Sequence, residues 1–283
     1  MAKKLAVAVI HGMGSVQDIH GLGKQTVNFA DKMIEEVKEL VGKEGKNPNE
    51  IAWQPIYWAG VTDSAQLLYF DKANREFDLD FKKLRRFVVT YLGDVSAYQL
   101  VKSQANTTYQ EVHDKVGNEI AKLKPLLDNA DPTPLIVIAH SLGAHIMSNY
   151  IWDRQREDTN GAPKYPNDFE QMRTLAGMVT FGCNIPLFTF AYSNVEPIDL
   201  PGGKLSDDNI GKAKWLNFYD PDDVLGYPLR PIDGYKNKLG GKLEDRSINA
   251  GGWLTSWNPL SHAMYWTDDD FTEPVAKFIA DFL

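Results

Sequence analysis

The sequence predicts an α/β fold, a mostly parallel central sheet flanked by helices, with one helical insertion. Three observations carry this. The runs Leu5-Ala6-Val7-Ala8-Val9-Ile10 and Leu135-Ile136-Val137-Ile138-Ala139 are apolar without alternation, as strands covered on both faces are. Each runs directly into a turn that carries glycine. Stretches with apolar residues at helical spacing lie between the strand signals, which is how chained βαβ units read.

In chain order, the first strand leads into His11-Gly12-Met13-Gly14, and residues 22–41 read as a helix with Val27, Ala30, Ile34, Val37 and Val41 on one face. Asn47-Pro48-Asn49 makes a turn into a strand at 51–58, where Pro55 demands an edge or a bulge. The stretch from Val61 to Leu127 is long for one crossover. Its last part, with Val112, Val116, Ile120, Leu123 and Leu127, supplies the helix before the 135–139 strand. That leaves 62–105 as a helical insertion rich in aromatics, among them Phe70, Phe77, Phe81 and Tyr91. Two readings of it stay open: a lid over an apolar groove, and an ordinary helical layer, the commoner use of aromatics at this spacing. Ile146, Met147, Tyr150 and Ile151 mark a helix after Gly143.

The chemistry centres on Ala139-His140-Ser141-Leu142-Gly143. A serine on a sharp strand-to-helix turn, with small residues two before and two after it, is the nucleophile-elbow pattern, here with alanine at the first small position. The alternative role for Ser141 is a helix N-cap. Backbone N–H groups of Met13 and Leu142 are the expected oxyanion donors, since charge on a tetrahedral intermediate needs fixed donors aimed at it. A phosphate loop is the competing reading of the N-terminal glycines. Gly12, Gly14, Gly21 and Gly23 do not form Gly-x-Gly-x-x-Gly, and no Gly-Lys-Ser/Thr follows them.

Strand-His-Gly-x-Gly near the N-terminus followed by strand-x-His-Ser-x-Gly resembles the α/β-hydrolase superfamily, in its lipase and esterase branch. Thr180-Phe181-Gly182 and Trp215-Leu216-Asn217-Phe218-Tyr219-Asp220 are similar to its next two strands, so the resemblance spans most of the chain. It implies the α/β-hydrolase fold, residues 1–283 as one domain, and a triad in the chain order serine, acid, histidine. The acid is then sought in Asp220-Pro221-Asp222-Asp223-Val224-Leu225-Gly226-Tyr227-Pro228. Asp223, followed by two apolar residues and a proline five positions on, is similar to the acid loop of secreted fungal-type lipases. Asp220 stays open as the alternative, although it suits the Pro221 turn. His11 and His140 belong to the two motifs, His145 to the helix, and His20 and His113 precede the serine. His262 follows the acid, in a His-x-x-Tyr pattern that again is similar to lipases.

The expected activity is hydrolysis of a carboxylic ester, with lipid or acyl esters favoured by the apolar insertions, and without a cofactor or metal. Thioester or amide cleavage would use the same parts, and an inactive scaffold or binding protein on this fold is the reading from another class. A chain of 283 residues with 43% apolar content can bury a full core. The formal charge of −8 argues against nucleic acid as a partner. No apolar stretch approaches the ~20 residues of a membrane span, which leaves transient contact with a lipid surface as the only membrane association expected. Residues 1–4 are too short for a signal peptide, and the single Cys183, read as a small buried hydrophobe, allows a reducing compartment, so a cytoplasmic location is expected. Residues 184–214 and 225–257 are expected to be substrate loops or surface excursions, the second connecting acid to histidine.

Overall fold

The computed structural model describes residues 2–12, 29–77, 82–98, 107–128, 132–157, 167–250 and 265–283. Its elements are β1 (Leu5–Ile10), α1 (Asp31–Lys43), β2 (Ile51–Ile56), α2 (Asp63–Phe77), α3 (Lys82–Ala97), α4 (Thr107–Ala121), β3 (Leu135–His140) and α5 (Leu142–Gln155). They continue with β4 (Leu175–Phe181), α6 (Ile185–Thr189), α7 (Asp207–Ile210), β5 (Lys214–Tyr219), α8 (Asp233–Leu239), β6 (Leu243–Ser247) and α9 (Asp269–Ala280).

The six strands form one sheet in the order β2-β1-β3-β4-β5-β6, and every neighbouring pair is parallel. All residues of β1, β3 and β4 are buried. Successive side chains of a strand point to opposite faces, so full burial requires helices on both sides of the sheet. Pro55 of β2 pairs with Val9 of β1, and among the described residues β1 is the one strand beside β2. The missing N–H is therefore harmless, as expected of an edge strand.

The first helix is shorter at its start and longer at its end than the spacing suggests. Residues 29 and 30 form a turn, the helix begins at Asp31, and residues 22–28 lie outside the described residues. Met33, Ile34, Val37 and Val41 bury its inner stripe. It packs on α9, where Thr272 Oγ1 donates to Glu36 Oε1 at 2.9 Å. The helix α5 has no polar face over most of its length, with Leu142, Ala144, Ile146, Met147, Ser148, Tyr150 and Ile151 all buried. A helix of this kind belongs in the centre of a fold rather than on its surface.

Within the stretch 225–257 the described part, residues 225–250, is more ordered than a surface excursion, and residues 251–257 lie outside the described residues. It holds α8 and β6, and β6 pairs with β5 from Trp215↔Leu243 to Tyr219↔Ser247. Residues 184–214 likewise contain two short helices, α6 and α7. Within 62–105 two helices form a hairpin. Thr62 Oγ1 and Gln66 Nε2 both donate to the buried Asp94 Oδ1 at 2.7 Å, tying α2 to α3. Tyr98, just past α3, shares a 2.7 Å hydrogen bond with His113 Nε2 on α4 and stacks on Tyr109. Phe70 is buried, whereas Leu68, Tyr69, Phe77 and Leu92 are exposed. Phe81 lies outside the described residues. No helix among the described residues is long and apolar enough to cross a membrane.

Candidate functional site

After β1 the chain builds β2 on one side and then β3 on the other, so the sheet order reverses between β1 and β3. In open parallel sheets such a reversal leaves a crevice beyond the carboxyl ends of the two strands, where ligands bind. His11 and Gly12 follow β1 there, and Ser141 follows β3.

Ser141 adopts φ 52° and ψ −125°, a region that side-chain-bearing residues avoid, at a cost of ~1–3 kcal/mol. It stands at the N-cap position of α5, but its side chain makes no capping hydrogen bond. The plain helix-cap role is therefore not what the residue does. Its N–H instead donates to the carbonyl of Phe181 at 3.0 Å, which ties the turn to the end of β4. The side chain is buried.

Two glycines make this turn sterically feasible. A methyl group on Gly12 would lie 2.7 Å from Ser141 Cβ and 3.0 Å from His140 Nδ1. One on Gly143 would collide with the carbonyl oxygen of His11 and crowd Ile10 Cγ2 at 3.1 Å. The loop after β1 is thus pressed directly against the serine turn. It is held there from the other side, because Trp58 N–H donates to His11 Nε2 at 3.2 Å and Trp58 Nε1–H donates to the His11 carbonyl at 3.0 Å. His11 and Trp58 rings lie nearly parallel, 5.5 Å apart. His11 is thus held by Trp58 through both its ring and its carbonyl. Leu142 opens α5, so its N–H is among those a helix leaves without an intrahelical carbonyl. Met13, the other expected donor, lies outside the described residues.

Both favoured carboxylates follow β5, two strands away from Ser141, and both are buried. Asp220 is engaged by main chain: Oδ1 accepts from Asp222 N–H and Oδ2 from Ala250 N–H, each at 2.9 Å. Asp223 Oδ1 accepts from Leu225 N–H at 2.9 Å, and its Oδ2 accepts from the hydroxyl of Tyr265, also at 2.9 Å. That same hydroxyl accepts from Asp220 N–H at 2.9 Å. Burial, and then the neighbouring Asp223 carboxylate, push the Tyr265 phenol far above its ordinary range, so it stays a donor. Gly226 keeps the acid loop tight, since a methyl group there would lie 2.6 Å from Asp223 Oδ2. Asp222 is exposed.

The expected base, His262, lies outside the described residues, but the Tyr265 of its His-x-x-Tyr pattern lies on the Asp223 carboxylate. His140 stacks on Phe181 at 4.8 Å and meets Trp266 edge-on. His145 stacks on Phe188 with ring centres 3.8 Å apart and shares a hydrogen bond with Asn149. Burial pushes His145 down to about 3, which keeps it neutral at pH 7. His113 is held between the Tyr98 hydroxyl at 2.7 Å and the Asp153 carboxylate at 3.3 Å. Cys183 is buried and its thiol is pushed up to about 12 by burial, so it packs as a small hydrophobe and is a poor nucleophile. Among the described residues no group of three or more His, Cys, Asp or Glu side chains is gathered as metal ligands.

Two residues at the site escape sequence reasoning in their roles. Tyr91, on α3, brings the helical hairpin to the acid loop: its phenol lies beside Asn184 and within electrostatic reach of Tyr227 and Asp223. Asn184 itself, next after Cys183, is completely buried. A scan against family models finds none that matches this chain, and a search among curated proteins finds no match either.

Proposed function

We propose that this chain is a serine hydrolase of carboxylic esters, lipid or acyl esters above all, built on the α/β-hydrolase fold. The observation that carries the reading is the backbone of Ser141, a non-glycine residue held at φ 52° where the sheet order reverses. Strain of this kind persists where the surrounding structure demands it, and it turns a side chain outward from a strand end. The parallel sheet supports the fold assignment, with the serine after its third strand in chain order and the carboxylates after its fifth.

In this reading Ser141 Oγ attacks the ester carbonyl carbon while His262 takes its proton. The carbonyl π pair moves onto oxygen, and the N–H groups of Met13 and Leu142 hold that charge. Collapse of the intermediate breaks the bond to the alcohol oxygen, which leaves with the proton from His262. Water then gives a proton to His262 and attacks the acyl carbon. Ser141 departs as the leaving group and recovers the proton, releasing a carboxylic acid. Asp223 orients and stabilises the imidazolium, and Tyr265 and Leu225 N–H hold that carboxylate in place. A cytoplasmic location accords with the single, buried cysteine.

The test is hydrolysis of p-nitrophenyl acyl esters of graded chain length by the wild type and by Ser141→Ala. Turnover that rises with chain length and vanishes in the variant is expected. Equal turnover by both proteins would remove Ser141 from the mechanism, and none by either would favour a binding protein.

A further inference from the structure

We infer that Asn184 is a specificity-determining residue, whose carboxamide receives an uncharged hydroxyl group of the substrate. The inference rests on the ester-hydrolase reading and names what its substrate must carry.

Asn184 follows β4 and precedes α6, yet its side chain does not cap that helix. It is 0% exposed, and among the described residues neither Nδ2 nor Oδ1 has a hydrogen-bond partner. Folded proteins rarely keep a buried amide idle, because the water it gave up is not replaced. Asn217, on the neighbouring strand, shows the usual outcome. Its Oδ1 accepts from Thr180 Oγ1 at 2.7 Å, and its Nδ2 donates to the Tyr227 carbonyl at 3.0 Å and to Asp245 Oδ1 at 2.7 Å. Same residue type, same end of the sheet, opposite accounting.

The position is where a substrate group would be read. Ser141 N–H is bonded to Phe181, three residues before Asn184. The adjacent Cys183 carbonyl accepts from Tyr227 N–H at 2.9 Å, and Tyr227 belongs to the loop of Asp223. The phenol of Tyr91 lies against the amide and is held neutral by burial, although neither amide atom completes a hydrogen bond. A carboxamide offers one donor group and one acceptor, and a hydroxyl complements both. An anionic group is disfavoured because Asp223 is close by, within reach of the same phenol. An ester bearing a hydroxyl on either its acyl or its alcohol part fits; a plain hydrocarbon ester leaves the amide idle.

Two matched pairs separate the two sources of that hydroxyl: glycerol monobutyrate against propyl butyrate, and ethyl β-hydroxybutyrate against ethyl butyrate. The wild type is expected to favour the hydroxylated member of one pair by about tenfold in kcat/KM, the worth of one good hydrogen bond. In Asn184→Leu, an apolar substitution of similar volume, that ratio should fall to near one. The same variant should melt roughly 2–4 °C higher, because it removes an unsatisfied buried amide. No preference in either pair, a preference that survives Asn184→Leu, or a lower melting temperature in that variant overturns the assignment. Hydrolysis of plain esters at the same rate as their hydroxylated partners overturns it alone. Absence of all turnover, together with no fluorophosphonate adduct on Ser141, overturns the hydrolase reading and this inference with it.

Discussion

Gly12 and Ser141 touch through the space a side chain on Gly12 would need: its first carbon would lie 2.7 Å from Ser141 Cβ. The contact joins the ends of two strands that are far apart in the chain, and it presses the main chain after β1 against the proposed nucleophile. Gly12→Ala must push the loop away from the serine, because His140 Nδ1 at 3.0 Å and the His140 carbonyl at 3.3 Å close off the other directions. A displacement near 1 Å at a reacting centre costs on the order of 100-fold. Ester hydrolysis by Gly12→Ala is expected to fall by about that factor; wild-type kinetics would show that the loop does not shape the site.

The strained turn makes a prediction about stability rather than rate. Ser141→Ala and Ser141→Gly both lose the hydroxyl, but alanine keeps the unfavourable φ 52° and glycine does not. Relief of ~1–3 kcal/mol of strain outweighs the ~0.5–1 kcal/mol that glycine's flexibility costs. The glycine variant should therefore be the more stable of the two by about 1 kcal/mol in denaturant titration. Equal stabilities would mean that the turn is not strained.

The two buried aspartates can be told apart by what asparagine does to each. Asp220 accepts main-chain N–H groups at both oxygens, so Asp220→Asn must aim an NH₂ at a donor, and a loss of ~1–3 kcal/mol in stability is expected. Asp223→Asn should instead lower kcat by about 10³–10⁴, by analogy with loss of the acid in other triads. Tyr265→Phe removes a hydrogen bond from each residue and should affect both stability and rate. A fully active Asp223→Asn enzyme would transfer the role to Asp220 or abolish the triad.

The chain's strand ends were legible because they are apolar and uninterrupted, and the serine turn because small residues flank it. β6 was not, since Leu-Glu-Asp-Arg-Ser has neither alternation nor an apolar run. What fastens that region is Asp245, whose carboxylate accepts from Leu229 N–H, Arg230 N–H and Asn217 Nδ2. Such a bond set depends on residues scattered along the chain and leaves no periodic trace. Asn184 is illegible for a related reason: an amide is idle or engaged only with respect to neighbours that folding brings. Tyr265 was visible as part of a pattern, whereas its place between two aspartates was not.

Acid should weaken the fold through the histidines around α5. His145 is pushed down to about 3 from an ordinary 6.5, and burial also lowers His113. The unfolded chain takes up the His145 proton near pH 6.5 and the folded chain only well below, so stability is full above that pH and declines as pH falls, with His113 acting in the same direction. Each such group contributes a slope of about 1.4 kcal/mol per pH unit. His145→Gln should flatten the loss of stability between about pH 6.5 and pH 4 by one such increment, and an unchanged slope would show that His145 is already protonated in the fold.

The central claim is that Ser141 is a nucleophile activated by its surroundings. Intact-mass and peptide-mapping analysis after exposure to a fluorophosphonate measures this without knowledge of the natural substrate. One adduct, located on Ser141, absent from a folded Ser141→Ala protein and slowed in Asp223→Asn and His262→Ala, is the predicted result. A folded wild type that takes no label, or a Ser141→Ala protein labelled as readily as the wild type, would contradict it.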